Sequence, residues 1–286
     1  MRPQLIGLPY DASSSFLRGS AAAPQVIRQA LRSPAGNSWT ELGVDLDGQR
    51  RLVDSGDLPL SDSASEARTR VEAGIATMLE HGFRPIALGG DHSLTYPIAR
   101  AMARRYHELA ILHIDAHGDL YDVYEGDRYS HACPFARIME EGLASRLVQV
   151  GIRTMTGHQR AQAERFGVDV IDMRRWATGA RPFAHDAPVT KGTVPFSREA
   201  TKRGLSPFYL SIDLDGIDPA FAPGVSHREP GGLSVRDVIS LIHSVPGTIV
   251  GADVVEFNPS QDLGGVTAHV AAKIVKEIAG AMLADT

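Results

Sequence analysis

The feature that most constrains the fold is a series of short, almost fully apolar runs separated by helix-like segments. Strands that are buried on both faces have this continuous apolar character, because they lie inside a parallel sheet covered by helices. Each run stops at a turn or at a group of polar residues. Eight runs qualify as strands, at residues 4–8, 51–53, 85–88, 109–114, 147–151, 168–172, 208–213 and 248–256.

The segments between these runs carry the usual signals of helix ends. Pro24 stands where a first-turn proline is favoured, Ser234 with Asp237 resembles a capping box, and Gly82 follows one segment as a stop signal. The helix-like segments are residues 24–31, 64–81, 94–105, 159–166, 234–243 and 267–282. Strands that alternate with helices imply crossover connections, so we predict an α/β fold with a mostly parallel sheet. Ligands of such sheets bind at the carboxyl ends of the strands.

Two stretches interrupt the alternation, residues 12–19 and 178–204, and we expect both to be surface loops. The first is rich in serine. The second mixes proline, glycine and charged residues and contains a short helix near 197–202. No linker elsewhere is long enough to separate two domains. We therefore predict a single domain over residues 1–286.

Charge and cysteine content exclude several classes of protein. The chain has 29 Lys and Arg against 34 Asp and Glu, a net charge of −5, which offers no basic field to nucleic acid or anionic lipid. Its apolar runs fall short of the roughly 20 residues that span a bilayer, and the first is too short for an export signal. The lone Cys133 allows no internal disulfide. These features predict a cytoplasmic protein without nucleic-acid or membrane partners.

Three of the predicted strands run directly into clusters of aspartate and histidine, in GGDHS at 89–93, DAHGD at 115–119 and SIDLDGIDP at 211–219. Carboxylates gathered at one sheet edge repel one another unless a cation lies among them. Alternate residues of an extended segment point to one side, which suits the i, i+2, i+4 spacing of these aspartates and histidines. The sequence therefore predicts six ligands for two divalent cations: His92, Asp115, His117, Asp119, Asp213 and Asp215.

The chemistry of these ligands favours Mn²⁺ or a similar divalent ion. Oxygen ligands mixed with imidazole, with no thiolate nearby, argue against a structural zinc site. Two such ions would offset the charge of four carboxylates and could share a bridging hydroxide. Asp91 and Asp218 lie in the same motifs, but a carboxylate after a strand commonly caps the next turn, so we leave both out of the ligand set.

In combination, the three motifs resemble the signatures of the ureohydrolase family, the arginases and agmatinases. The similarity continues in YSHAC at 129–133, VQVGIR at 148–153, AFAPGVSH at 220–227 and GADVVEFNP at 251–259. In detail these segments are most similar to plant-type arginases. The resemblance implies a three-layer α/β/α fold around a central, mostly parallel eight-stranded sheet. It also implies a homo-oligomer, as a trimer or hexamer.

The resemblance further implies a binuclear manganese site. One ion would be bound by His92, Asp115, Asp119 and Asp213. The other would be bound by Asp115, His117, Asp213 and Asp215. A hydroxide supplied by the ions would attack the carbon of a guanidinium group, and the products would be urea and an amine.

Three residues have implied catalytic roles. Asp119 would pass a proton to the leaving amine. Glu256 matches the family residue that binds the guanidinium, which a carboxylate can meet with two hydrogen bonds. His131 matches a loop histidine proposed to carry protons between site and solvent, and imidazole titrates in the right range. Glu256 and His131 are therefore also the predicted substrate-binding residues.

L-Arginine, which would give L-ornithine and urea, is the favoured substrate because the loops are similar to those of plant-type arginases. Thr156 and Tyr121 stand where animal arginases contact the α-amino and α-carboxylate groups, and Ala132 replaces a glycine of many agmatinases. Agmatine, guanidinobutyrate, guanidinopropionate and formimidoylglutamate therefore stay open as substrates.

The sequence is also compatible with two other functions. An amide deacetylase of the same fold would use one zinc ion, and the intact His92 and Asp119 argue against it. A metal-binding protein without catalysis would tolerate broken ligands, whereas all six are present. Cys133 is disfavoured as a nucleophile because metal hydroxide already supplies one. His227 is expected near the site, where facing the substrate, supporting a neighbouring site residue and a purely structural role all stay open.

Overall fold

Eight strands form one sheet at the centre of the protein, which is represented by a computed structural model that describes residues 1–48, 52–183 and 207–284. The strands are β1 Arg2–Gly7, β2 Val53–Asp57, β3 Phe83–Leu88, β4 Ala110–Ile114, β5 Arg146–Ile152, β6 Asp169–Asp172, β7 Pro207–Asp213 and β8 Thr248–Val255. Their order across the sheet is β2-β1-β3-β8-β7-β4-β5-β6. Every pairing between them is parallel, which confirms the predicted sheet.

Helices connect the strands and cover both faces of the sheet. They are α1 Ala23–Leu31, α2 Ala64–Glu80, α3 Thr95–Arg105, α4 Pro134–Glu140, α5 Gly157–Phe166, α6 Met173–Ala177, α7 Val235–His243 and α8 Val266–Ala284. Helices α1, α6, α7 and α8 pack with one face of the sheet. Helices α2 to α5 pack with the other face. The result is the predicted three-layer α/β/α architecture.

The predicted helix signals act as expected. Pro24 lies in the first turn of α1, where its missing N–H costs nothing. Ser234 and Asp237 form a capping box at the start of α7, each side chain accepting from the other residue's backbone N–H. Gly82 follows α2 with a φ of 80°, a left-handed conformation that glycine adopts at little cost.

Strand β2 differs from its prediction at residues 51–53. Arg51 lies outside the described residues, and the observed strand runs from Val53 to Asp57. This strand is at the edge of the sheet and is largely exposed, so its sequence is polar and lacks the apolar signal of a buried strand. Its Asp54 and Asp57 form ion pairs with Arg28 of α1, a contact that a strand-by-strand reading of apolar runs cannot detect.

Other expectations have mixed outcomes. Residues 12–19 form the predicted loop. The short helix expected near 197–202 lies outside the described residues. Helices α4 and α6 were not predicted, because each has seven residues or fewer and shows too little periodicity. Among the helices that the structure describes, none is long and apolar enough to cross a membrane.

Candidate active site

The three motifs meet at the carboxyl ends of neighbouring central strands. Strands β3, β8, β7 and β4 are adjacent in the sheet, and each ends immediately before or within a motif. His92 begins a short 3₁₀ turn after β3, Asp213 is the last residue of β7, and Asp215 lies in the 3₁₀ turn that follows. Parallel strands end at one edge of a sheet, so the six predicted ligands are brought to one place.

His92 faces three carboxylates. Its Nδ1 atom lies 3.2 Å from Oδ2 of Asp115, 3.0 Å from Oδ2 of Asp119 and 3.2 Å from Oδ2 of Asp213. The ring is fully buried, and Nδ1 has no hydrogen-bond partner of good geometry. A buried nitrogen surrounded by oxygen atoms at these distances could serve as the donor set of a divalent cation.

His117 lies on the other side of Asp115. Its Nδ1 atom is 3.4 Å from Oδ1 of Asp115 and 3.1 Å from Oδ2 of Asp215. Asp115 therefore presents one oxygen atom to each histidine. Asp115, His117 and Asp215 form a group that could hold a metal ion, and Asp115 also belongs to a second such group with His92 and His113. The geometry thus gives two adjacent groups of side chains that share Asp115 and could each hold a cation.

The pKa values of these side chains indicate a deficit of positive charge. Burial, followed by the charges of Asp215 and Asp115, raises the pKa of Asp213 well above its ordinary range. Burial and the charge of Asp115 raise the pKa of Asp215 to about 6. Burial lowers the pKa of His92, yet the surrounding carboxylates raise it well above its ordinary value. Protons are thus retained to offset negative charge, and divalent cations would replace them.

Glu256 and His131 lie next to this cluster. Oε1 of Glu256 accepts a hydrogen bond from the backbone N–H of His92 at 2.9 Å and lies 3.1 Å from Nδ1 of His131. Burial raises the pKa of Glu256, but His131 holds it below its ordinary value. Glu256 has a φ of 61° and Asp119 a φ of 48°, a conformation that non-glycine residues adopt only at a cost. The surrounding structure therefore holds both carboxylates in strained positions beside the cluster.

A cavity opens above these carboxylates. Asp119, Asp213, Asp215 and Glu256 line its floor, and its other lining residues are Ser15, His117, Tyr121, Tyr124, His131, Ala132, Thr154, Thr156, Gln159 and His227. No Lys or Arg is among the described residues that line it. Its negative floor is suited to a cationic head group, and its hydroxyl groups are suited to a polar tail.

Several other residues singled out in the sequence have structural partners. Asp91 accepts hydrogen bonds from the backbone N–H groups of Ser13 and Ser93, and Asp218 accepts from Gly231 and Gly232. Burial raises the pKa of the Cys133 thiol to about 12, so this cysteine is a poor nucleophile.

His227 lies at the cavity, as expected. Its ring centroid is 5.9 Å from that of His117 and 5.4 Å from that of His131. Thr156 lines the cavity and is also the N-cap of α5, where its side chain accepts from the backbone N–H of Gln159. The hydroxyl of Thr156 therefore has a structural role in addition to its place at the cavity.

The sequence analysis missed His113, which is the fourth of the five residues of β4. Its Nε2 atom is 2.7 Å from Oδ2 of Asp115, and its ring stacks on Phe135 with centroids 3.9 Å apart. The side-chain nitrogen of Gln149 lies 3.0 Å from the other ring nitrogen of His113. His113 therefore orients Asp115 from behind. A polar residue inside an otherwise apolar strand was the available signal.

His113 belongs to a row of polar side chains that crosses four neighbouring strands in register. In the order β5, β4, β7 and β8 the row consists of Gln149, His113, Ser211 and Asp253. All four residues are fully buried. His113 and Ser211 each lie two residues before an aspartate of the cluster, Asp115 and Asp213, so the row lies directly beneath the cluster.

Comparison with known proteins shows the family of this chain. The sequence model of the Arginase family matches residues 2–280. Arginase 1 of Arabidopsis thaliana is 46% identical over 284 residues, which are 96% of this chain and 79% of that protein. The agmatinase of Gallus gallus is 32% identical over 279 residues, 96% of this chain and 78% of that protein. The solved arginase of Medicago truncatula superposes with a TM-score of 0.85 and 40% identity, over 98% of this chain and 87% of that chain.

The prediction of a cytoplasmic location is wrong. The relatives from Arabidopsis and rice are mitochondrial arginases, and a second Arabidopsis arginase is chloroplastic or mitochondrial. The prediction used the lone cysteine, but the absence of disulfides reports the redox state of a compartment and does not identify the compartment.

The agreement extends over almost the whole chain. The family match includes all three strand-end motifs, and the structural match includes the sheet that brings them together. The chain belongs to the arginase family, as the motifs at its strand ends predict.

Proposed function

We propose that the protein hydrolyses L-arginine to L-ornithine and urea at a pair of divalent cations. The observation that carries this proposal is the position of Asp115 between His92 and His117, with three further aspartates around them. Such a set of buried acids and imidazoles is costly without cations and is of the type that binds two of them. The likeness to plant arginases supports arginine as the substrate.

Six side chains would hold the two cations. The first cation would be bound by His92, Asp115, Asp119 and Asp213. The second would be bound by Asp115, His117, Asp213 and Asp215. Manganese is the proposed metal, because oxygen-rich ligands with few imidazoles and no thiolate suit it. When bound, the cations would lower the pKa of water and so make a nucleophile available at neutral pH.

Glu256 would bind the guanidinium group. Its carboxylate is buried at the cavity floor, and its charge is maintained because its pKa is held low by His131. A carboxylate meets the planar guanidinium with parallel, charge-assisted hydrogen bonds. This contact would hold the guanidinium carbon above the aspartate cluster in a fixed orientation.

Proton transfer would complete the reaction. Water adds its oxygen to the guanidinium carbon and loses both of its protons, the bond from that carbon to the tail nitrogen breaks, and the tail nitrogen gains the two protons to become an ammonium group. Asp119 lines the cavity and would carry one of these protons from the water to the leaving amine. His131 contacts Glu256 on one side and the hydroxyl of Ser15 on the other, at 2.8 Å, and would exchange protons with solvent. The products are urea and L-ornithine.

Agmatine is the second candidate substrate, and the residues that line the cavity support this alternative. An arginine carboxylate would have to be bound by neutral groups such as the hydroxyls of Tyr121 and Tyr124, because no Lys or Arg occurs among the described lining residues. Agmatine lacks this carboxylate and needs no such partner. The likeness to the Gallus gallus agmatinase adds support for this alternative.

The first experiment measures urea released by the Mn²⁺-loaded protein from L-arginine, agmatine, guanidinobutyrate and guanidinopropionate. We expect release from L-arginine that is lost after chelation and restored by Mn²⁺. Asp115→Ala should abolish both the binding of two ions and turnover, whereas Asp62→Ala, at an exposed position, should change neither. Turnover that persists in Asp115→Ala would refute the mechanism.

We also propose that the protein is a homo-oligomer, a trimer or a hexamer. Large apolar side chains are exposed at Phe221, Leu263 and Val266, and self-association would cover such residues. Size-exclusion chromatography with light scattering tests this proposal directly. A mass that remains monomeric at all concentrations would refute it.

A further inference from the structure

A chain of buried hydrogen bonds leads away from His92 on the side opposite the carboxylates. Nε2 of His92 lies 3.0 Å from the hydroxyl of Ser211, and that hydroxyl donates to Oδ1 of Asp253 at 2.8 Å. All three residues are fully buried. They are on or next to three adjacent strands, β3, β7 and β8, so the sheet itself holds them in line.

The direction of each hydrogen bond in this chain follows from the number of protons available. A carboxylate only accepts, and Asp253 accepts from Ser211, from the hydroxyl of Tyr209 at 2.6 Å and from the hydroxyl of Thr95 at 2.9 Å. Ser211 has one hydroxyl proton, which it donates to Asp253. Ser211 must therefore accept from His92, so Nε2 of His92 carries the proton.

This direction determines what the other nitrogen of the ring can do. When Nε2 of a neutral imidazole is protonated, Nδ1 has a free lone pair. In His92, once a cation replaces the proton that the carboxylates retain there, that lone pair faces Asp115, Asp119 and Asp213, whose oxygen atoms lie 3.0 to 3.2 Å from Nδ1. A lone pair among carboxylates is repelled, but it is the required state of a metal ligand.

Among the residues that the structure describes, Asp253 forms no ion pair with a Lys, Arg or His. Three hydroxyl groups donate to its oxygen atoms, which offsets the cost of burying this polar side chain. A serine hydroxyl next to a carboxylate can only donate its hydrogen bond to that carboxylate. Next to a neutral amide, the same hydroxyl could either donate or accept.

We propose that Asp253 is a positioning residue that fixes the tautomer of His92 through Ser211 and so determines the affinity of the adjoining cation site. The inference rests on the proposed function only in assuming that this site binds a divalent cation. Asp253 does not contact the cluster itself, and its effect is confined to the site of His92.

The test is Asp253→Asn in the full-length protein. The amide N–H of the new asparagine can donate to Ser211, which then can donate to Nε2 of His92 and place the ring proton on Nδ1. We expect the affinity for one Mn²⁺ of the pair to fall by about 10- to 100-fold, as for other residues that orient metal ligands. The second ion, at His117, should bind as in the unchanged protein.

Two measurements make this effect distinct from a loss of stability. Calorimetric titration with Mn²⁺ counts the ions and gives each affinity, and electron paramagnetic resonance separates a coupled Mn²⁺ pair from a single Mn²⁺. Tyr209→Phe is the matched control, because it removes one hydroxyl from Asp253 and leaves the Ser211 chain in place. This control should lower thermal stability but retain the coupled pair.

Ser211→Ala is the second test variant, to be used if Asp253→Asn does not fold. It removes the bridge and should also weaken the ion next to His92. If Asp253→Asn or Ser211→Ala binds two ions with unchanged affinity, the inference is overturned. It is also overturned if Tyr209→Phe loses as much Mn²⁺ affinity as the test variant does. If the unchanged protein binds two ions but releases no urea, the proposed function is refuted. The role of Asp253 is then still tested by the Mn²⁺ affinities of these variants. If the unchanged protein binds no ion, both fail.

Discussion

Replacing Glu256 by glutamine isolates the ion pair at the floor of the cavity. Nδ1 of His131 lies 3.1 Å from Oε1 of Glu256, and the two side chains are only 11% and 5% exposed. Burial lowers the pKa of His131, but the hydrogen bond and charge of Glu256 raise it to about 9. Glutamine keeps the size of the side chain and an oxygen that can accept from the backbone N–H of His92. The substitution therefore removes the charge with little change of shape.

The size of the effect follows from the pKa of His131. Without the charge of Glu256, burial is the largest remaining influence, so the pKa of His131 should fall from about 9 to its ordinary value or below. The ordinary value is about 6.5, and each pH unit corresponds to about 1.4 kcal/mol, so the pair contributes about 3 kcal/mol. Because folding raises the pKa of His131, this stabilisation is complete below about pH 6.5 and is lost as the pH rises through about 9.

Two assays on chelator-treated protein measure this contribution. Nuclear magnetic resonance of ¹⁵N-labelled histidine should show His131 titrating near pH 9 in the unchanged protein and at least about 2 units lower in Glu256→Gln. Urea denaturation should show the variant losing about 3 kcal/mol more at about pH 6 than at about pH 10. Titration of His131 near pH 9 in both proteins, or a stability difference that does not depend on pH, would refute the reasoning.

Three further predictions concern the surroundings of the site. Gly216→Ala should lower the free energy of unfolding by about 1–3 kcal/mol, measured by urea denaturation, because the new Cβ would lie 2.8 Å from the backbone nitrogen of Asp115; unchanged stability would contradict this contact. Cys133 should resist thiol reagents in the native protein and react fully in denaturant, since burial raises its pKa to about 12; rapid native labelling would show otherwise. Tyr121→Phe should reduce kcat/KM for L-arginine by about fivefold, the cost of one hydrogen bond, and leave agmatine unaffected; an equal loss for both would exclude a contact with the carboxylate.

The meeting of the proposed ligands at one sheet edge was predictable because these residues occur in short continuous strings. Asp115, His117 and Asp119 are alternate residues of one segment, and Asp213 and Asp215 repeat the pattern. A parallel sheet brings the ends of its strands to one edge, so a motif that follows a strand is placed by local sequence and topology together. For this reason the strings predicted which side chains would meet before any distance was known.

Strand β2 and the small helices were less predictable, since their signals are weak for physical reasons. An edge strand is exposed on one side and is not required to be apolar, so β2 shows no buried run. A helix of five residues, such as α6, makes little more than one turn and has no periodicity to detect. Its formation depends on packing and on the cap that Asp172 provides.

The sequence by itself determined the class of fold and the ligand-bearing strand ends, because apolar runs and strand-end motifs are local properties of the chain. Only the tertiary structure decided which residues support those ligands. Gln149, His113, Ser211 and Asp253 are far apart in sequence and become neighbours through the register of β5, β4, β7 and β8. Register depends on how whole strands pack against one another, so no single segment encodes it. The polar row beneath the cluster, and with it the orientation of His92 and Asp115, is therefore a product of the assembled sheet.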